Sequence, residues 1–439
     1  MGRIVNNLGF TVNETTGDVE GVVGVSGKEF KLNKKKPMLV VFEGDSRTQN
    51  GISATSGYTC YGHASWVRAL SAKRPITVNL GISGNQTSQV LQRKNTVAAL
   101  SPKVVVLWAG VNDIAMNGAA FYPTTIANLQ ALVFSYLNDA RADNVIVVLE
   151  TGYSGWSAPE VAAQNAINAA IIKMAEDDSR VLVVNSLDFV VDYTAATQVP
   201  ITYQAGVFAD TVHPSVRLSY KIGKRVAEII DKLAGVGIDT PRILNAGDTT
   251  NLLTNGLFNG SSGANYGAGW SGAVPSSWYG YQSGTATVAA AVSTVSNSSY
   301  REVTLTITTT GAGSVQLFQD PVSGLVAGDY VVGSAEVEVV GTPVNLQFVN
   351  FQMLTVIGGV TKYANSLYDT AGYDPAPPNS SWPQEAMIQY SPEWNALEIA
   401  AGTQTTMKAL LSIYFSGAGS ATIRFRRPHI RKVAAGYSR

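Results

Sequence analysis

Apolar positions follow three patterns along the chain. Up to about residue 36, short alternating stretches (Phe10 and Val12, Val19 to Val25, Phe30 and Leu32) are broken by Thr16-Gly17-Asp18 and Ser26-Gly27, which predicts a β-rich arm. The basic run Lys34-Lys35-Lys36 that closes it reads as a solvated turn. From 37 to about 237 the apolar residues form continuous runs: Met38 to Phe42, Ile76 to Leu80, Val104 to Trp108, Val145 to Leu149 and Val181 to Val184. Runs without alternation suit strands covered on both faces, as in a parallel sheet. Between them, helical spacing predicts helices over 64–72, 87–100, 124–142, 159–175 and 214–234. In the last of these Leu218, Ile222, Val226, Ile229, Ile230 and Leu233 share a face, and Pro214 suits the first turn. Five strands alternating with helices predict an α/β fold with a doubly wound, five-stranded parallel sheet.

Residues 238–252, with Pro241 and several Asn, Gly, Asp and Thr, read as a linker. Over 253–439 the helical period vanishes. Short β-like runs at 285–295, 303–309, 330–339, 344–349 and 421–425 predict an all-β sandwich. No fixed-period repeat is present.

Composition narrows the chemistry. Lys+Arg and Asp+Glu both number 31, so the formal net charge is zero, which argues against nucleic-acid binding by bulk electrostatics. One cysteine, Cys60, excludes an intrachain disulfide and a cysteine zinc cluster, and three histidines (His63, His213, His429) disfavour a His-rich metal site. No cofactor is expected. No apolar run approaches the ~18 residues of a membrane helix, so no membrane partner is expected. The first ten residues hold no apolar signal core, and the location expected is extracellular or virion-associated, without a visible signal peptide.

Four loops follow the carboxyl ends of predicted strands: Glu43-Gly44-Asp45-Ser46, Gly81-Ile82-Ser83-Gly84-Asn85, Gly110-Val111-Asn112-Asp113 and, after a longer loop, Asp210-Thr211-Val212-His213-Pro214. Open α/β sheets bind ligands at that rim. The residue types suit acyl transfer. A serine hydroxyl needs a base, which His213 can be, and the base needs a carboxylate, which Asp210 can supply. The oxyanion needs fixed donors. The backbone N–H groups of Ser46 and Gly84 and the side-chain amide of Asn112 can supply three.

These blocks resemble the SGNH (GDSL-type) hydrolase superfamily over residues 37–237. The resemblance implies a flavodoxin-like sheet, a metal-free esterase or lipase, Ser46 as nucleophile, Gly84 and Asn112 in the oxyanion hole, and Asp210 and His213 completing the triad. Arg47 stands where the family's name-giving leucine would be, which weakens a lipase reading more than a hydrolase reading.

Each residue has a plainer alternative. Ser46 could be a turn serine, Gly84 a helix-start glycine, Asn112 an Asx turn, and Asp210 a cap for the helix that follows. Asp188 and Asp192 are poorer partners for His213 because they lie further back on the loop. Asp113 reads as structural, His63 as a satisfied structural histidine, and His429, beside Arg426-Arg427-Pro428, as surface or interface. The stretch from Gly267 to Gly272 fits G-x-G-x-x-G, but no helix follows it, so it is no dinucleotide site. Gly27-Lys28-Glu29 lacks the spacing of a phosphate loop, and no G-x-S-x-G elbow is present.

The segment from Asn251 to Phe258, followed by Trp270 and Trp278, resembles the opening of jelly-roll carbohydrate-binding modules. Tyr266, Trp270, Trp278, Tyr279, Tyr281, Trp382, Tyr390 and Trp394 make the region aromatic. Trp270 and Trp278 are the expected sugar-stacking residues, against the alternative that they are core. The function expected is a carbohydrate O-acetylesterase acting on an acetylated polysaccharide. The other readings are a general short-chain carboxylester or lipid esterase, and a phage tail spike or fibre adhesin, which would be a homotrimer.

Overall fold

A computed structural model describes residues 38–49, 62–195, 202–233, 250–296, 300–320, 322, 324–365, 382–389 and 397–434, together with the backbone of four short N-terminal strands. Lys34 to Lys36, Cys60, residues 238–249 of the expected linker, Tyr390 and Trp394 lie outside the described residues. The N-terminal strands β1 (Arg3–Val5), β2 (Phe10–Asn13), β3 (Val19–Val23) and β4 (Glu29–Lys31) pair antiparallel in sequence order, as the alternating pattern requires.

The next five strands are β5 (Leu39–Gly44), β6 (Ile76–Asn79), β7 (Val104–Trp108), β8 (Asn144–Val148) and β9 (Val181–Val184). They form one parallel sheet in the order β6-β5-β7-β8-β9. The chain reverses direction beside β5, so β5 opens at the switch point, where the flanking loops part to leave a crevice. Helices α1 (Ser46–Gln49), α2 (His63–Leu70), α3 (Thr87–Gln92), α4 (Lys94–Leu100), α5 (Val111–Asn117), α6 (Tyr122–Asn138), α7 (Ala158–Asp177), α8 (Leu187–Val190) and α9 (Val216–Lys232) surround it. One buried cluster joins the sheet to α3–α7, and a second joins its other face to α2 and α9. The expected helix over 87–100 is two helices, broken at Arg93 (φ −102°, ψ 10°). The last helix starts at Val216, with Ser215 as its N-cap (Leu218 N donates to Ser215 Oγ, 3.3 Å), so Asp210 is not the cap.

The C-terminal region holds β10 (Ser262–Tyr266), β11 (Trp270–Gly272), β12 (Val274–Thr294), β13 (Arg301–Gln319), β14 (Tyr330–Ile357), β15 (Val360–Asn365), β16 (Met387–Gln389), β17 (Leu397–Glu398) and β18 (Gln404–Val433). They make one mixed nine-stranded sheet with the antiparallel centre β12-β13-β18-β14. The short runs read from the sequence are parts of these long strands. Glycines lie where the long strands cross a common line: Gly284 pairs with Gly313, Gly313 with Phe415, and Gly419 with Thr309. A Cβ on Gly284 would lie 2.4 Å from Ala312 O, and one on Gly419 2.1 Å from Val344 O. The strands therefore bend there rather than end. The sheet folds over its own core. Phe425, beyond the bend on β18, packs against Phe351 of β14 (5.4 Å between ring centroids) and Trp278 of β12 (5.9 Å), which lie on the other side of the bend. That contact makes a sandwich from a single sheet.

The two regions touch directly. Trp66 and Ala69 of α2, with Val216 and Tyr220 of α9, belong to the same buried cluster as the sandwich core. The Trp66 ring lies 5.2 Å from that of Trp382 and 4.9 Å from that of Tyr220, and Lys224 pairs with Glu385 at 3.3 Å. Truncating Trp382 should therefore open a cavity at the junction. Trp382→Ala is expected to cost about 3–5 kcal/mol in denaturant unfolding. A loss under about 1 kcal/mol would mean the junction contributes little.

Candidate active site

Ser46 sits where β5 meets α1. The turn is tight: Thr48 N and Gln49 N both donate to Asp45 O, at 3.1 and 2.9 Å. Gly44 has φ +156°, and a Cβ there would stand 2.1 Å from Trp108 O at the end of β7. Only glycine lets the two strand ends come that close. Ser46 is 7% exposed, with its hydroxyl turned toward the rim.

The long loop before α9 delivers the other two groups. His213 Nε2 lies 2.8 Å from Ser46 Oγ, and His213 Nδ1 lies 2.6 Å from Asp210 Oδ2. Asp210 Oδ1 accepts from the backbone N–H groups of Val212 and His213, both at 2.8 Å. One carboxylate thus closes the loop with one oxygen and holds the imidazole with the other. Partial burial pushes the Asp210 carboxyl up, but these N–H donors and His213 outweigh it and hold it below the usual carboxylate range. A charged Asp210 favours the tautomer with the proton on Nδ1, leaving Nε2 to accept from Ser46. The loop is anchored by Ser154 N donating to Thr211 O (2.8 Å) and Ala209 N to His213 O (2.8 Å).

Gly84, on the loop after β6, and Asn112, in the first turn of α5, lie at the same rim. Gly84 is exposed at φ +76°, with no atom within 4 Å of where a Cβ would be. Asn112 Nδ2 donates to Asn85 O at 2.9 Å, which uses one of its two N–H groups. Asp113 is structural, as expected. It is buried and accepts from Thr87 N (2.8 Å) at the start of α3, and burial raises its carboxyl pKa against the pull of the Thr87 donors.

Beneath Ser46 lies a charged cluster that the sequence reading missed. The Arg47 side chain is fully buried. Its Nε and one terminal nitrogen hold Asp45 (3.0 and 2.7 Å), and both terminal nitrogens hold Glu150 at the end of β8 (2.8 and 2.9 Å). The guanidinium carbon lies 4.6 Å from the Trp108 ring centroid. Burial disfavours the Arg47 charge, but the two carboxylates more than offset it and its pKa rises. Burial also raises that of Glu150, against Arg47. The available signal was an arginine at an apolar position of the motif, with an acidic residue closing the run Val145 to Leu149. His63, between the rings of Phe42 and Trp108 (5.4 and 5.5 Å), is buried and held neutral. Burial and Arg47 push its pKa down to about 4. Neither ring nitrogen has a partner among the described residues, and the ring packs as a structural histidine.

Three expectations need correction. Trp278 is fully buried, with Nε1 donating to Asn255 O (2.8 Å), and Trp270 is only 7% exposed, packed under Gly280. Neither ring face can stack on a sugar. The exposed aromatics of that region are Tyr266 and Tyr281. His429 is not on the surface. It is buried, with Nε2 3.2 Å from Thr250 Oγ1, and Arg426 and Arg427 pair with glutamates of the sheet. Among the described residues no group of three or more His, Cys, Asp or Glu is placed to hold a metal ion, and no helix is long and apolar enough to cross a membrane.

Two outcomes follow from the cluster beneath Ser46. Arg47→Met strands two buried carboxylates, so it is expected to cost about 3–5 kcal/mol in denaturant unfolding. A loss under about 1 kcal/mol would show that the cluster is not a stabilising network. For His63, the folded pKa lies below the unfolded one, so the unfolded chain binds the extra proton and stability falls as pH drops from about 6.5 to about 4. The stability difference between wild type and His63→Leu is expected to shift by up to about 3 kcal/mol across that window, against wild type at the acid end. A pH-independent difference would contradict the buried neutral state.

Residues 42–218 match the GDSL-like Lipase/Acylhydrolase family. No curated protein matches the chain. Among solved structures, the chain is similar to a member of the lipolytic protein G-D-S-L family from Veillonella parvula, at 19% identity over 45% of this chain and 100% of that one (TM-score 0.35). It is also similar to an acetyl xylan esterase (20%, 44% and 98%, TM-score 0.35) and to a carbohydrate acetylesterase from Sinorhizobium meliloti (17%, 44% and 97%, TM-score 0.32). Residues 42–218, with the five-stranded parallel sheet, thus form a GDSL-like lipase/acylhydrolase domain, and the protein is a carboxylic ester hydrolase.

Proposed function

We propose that the protein is a serine acetylesterase that removes O-acetyl groups from a polysaccharide. The observation that carries the mechanism is the relay from Asp210 through His213 to Ser46, at 2.6 and 2.8 Å. Ser46 Oγ attacks the acetyl carbonyl carbon while His213 Nε2 takes its proton. Asp210 stabilises the imidazolium that forms. The tetrahedral oxyanion faces the N–H groups of Ser46 and Gly84 and the remaining N–H of Asn112. Collapse breaks the bond to the sugar oxygen, which leaves with the proton from His213. Water then attacks the acetyl-Ser46 ester, with His213 again as base, and releases acetate.

The substrate class rests on the surroundings of Ser46. Asp210 is half-exposed and Gly84 lies on the surface, so a bulky polymer can reach the rim. The rim carries Ser83, Asn85 and Gln86, neutral groups suited to hydroxyls. Behind Ser46, Arg47 and Glu150 fill the space with charge, which suits a two-carbon acyl group better than a long chain. The direct test measures acetate release from a panel of acetylated polysaccharides, beside nitrophenyl esters of increasing chain length. Acetate esters should be the best substrates and at least one polymer should be deacetylated. A preference for long acyl chains would favour a lipid esterase instead.

Ser46→Ala is expected to change the melt little, because it removes one small hydroxyl and its hydrogen bond to the part-buried His213. It should remove several orders of magnitude of kcat on a small acetate ester. Near-wild-type turnover would overturn the mechanism.

A further inference from the structure

We propose that Arg93 is a positioning residue that locks the loop carrying Gly84, to which Asn112 is bonded, against the strand end that leads into Ser46. The proposal rests on the assignment of Gly84 and Asn112 as the oxyanion donors.

Helix α3 ends and α4 begins at Arg93, and its side chain turns back toward the strand ends. One terminal nitrogen donates to Asn85 Oδ1. The other donates to Glu43 Oε1, to Gly44 O (2.8 Å) and to Leu80 O (3.5 Å). A single guanidinium therefore joins the end of β5, the residue following β6 and the loop after Gly84. The chain positions decide what this does. Gly44 lies two residues before Ser46, and Asn85 directly follows Gly84. Asn85 O in turn accepts from Asn112 Nδ2 at 2.9 Å, and Ile82 N donates to the same Gly44 carbonyl that Arg93 holds (3.1 Å). Beside that backbone bond and Ser83 N donating to Gln49 Oε1 (2.6 Å), Arg93 is thus the side chain behind the rim that ties both proposed donors to the strand end before Ser46.

Its anchor is also built in. Glu43 is fully buried, and burial pushes its carboxyl up to about 7, against the pull of Arg93. A carboxylate buried there needs a charged partner, and a partner with several donors in one plane can hold carbonyls at the same time. A lysine ammonium lacks that planar fork. Hydrogen-bond donors act on a transition state only if they stand within a fraction of an ångström of the oxyanion, and a misplacement of about 1 Å can cost about 100-fold. Loosening Arg93 should therefore damage the chemical step and spare ground-state binding.

The test uses the full chain, with active sites counted by a phosphonate ester that labels Ser46. Arg93→Met is expected to lower kcat per labelled site on a small acetate ester by about 10- to 100-fold. KM should change less than about twofold, and binding of a tetrahedral boronate inhibitor should weaken in parallel with kcat. Added guanidinium should restore part of the rate, and Arg93→Lys should fall between wild type and Arg93→Met. In the double variant with Asn112→Ala the two losses should add only in part, since Arg93 acts partly through Asn112 and partly through Gly84. A folded Arg93→Met with wild-type kcat per site overturns the proposal, as does a loss confined to KM. If Arg93→Met does not fold, Arg93→Lys decides: unchanged kcat and boronate affinity overturn the proposal. An Asn112→Ala variant with wild-type kcat overturns the oxyanion assignment itself. A slow Asn112→Ala beside a fast Arg93→Met overturns only the role of Arg93.

Discussion

A positive charge with no access to water sits directly beneath Ser46, and the carboxyl ends of β5, β7 and β8 are arranged around it. Arg47 can stay charged there only because Asp45 and Glu150 each present two oxygens to its fork, and because Trp108 covers its face. That requirement ties Asp45, the residue before Ser46, to the end of a strand two places away in the sheet. It leaves the Ser46 backbone little freedom, which is what a nucleophile needs when its base must lie within hydrogen-bond reach. The arrangement also makes the neighbourhood polar and tightly packed. His63 is kept neutral beside it.

A second charge, the part-buried Arg93, serves the opposite wall of the crevice. Arg47 orders the Ser46 turn from below, and Arg93 orders the loop that faces it. The third wall, the loop before α9, relies on one carboxylate. Asp210 folds its own turn by accepting two backbone N–H groups and holds His213 with its remaining oxygen. Side chains thus set the separations between loops that come from distant parts of the sequence, on a sheet whose topology only brings them near.

Most of this frame was legible in the sequence. The strands Val104–Trp108 and Val181–Val184 fall where the apolar runs place them, because a strand covered on both faces has no polar position to blur the signal. The four loops reach one rim as expected, and Ser46, His213 and Asp210 are in contact. What stayed hidden depends on three-dimensional partners. Arg47 looked like a departure from a motif because its two carboxylates are identifiable only once β8 lies beside β7. The break at Arg93 carries no proline or glycine, so the helical pattern runs through it. In the sandwich, the expected runs begin at 285 and 421, just past Gly284 and Gly419, although the strands there run on through these glycines. Trp270 and Trp278 attracted a binding role by their chemistry, and burial assigns them to the core.

The central claim is that Ser46, activated by His213, attacks the ester carbonyl. A phosphonate ester that traps serine nucleophiles tests it most directly, with the labelled peptide identified by mass spectrometry. The expected result is one adduct per chain, on Ser46, formed orders of magnitude more slowly in a folded His213→Ala variant. Labelling at another serine, or labelling of Ser46 at the same rate without His213, would contradict the account.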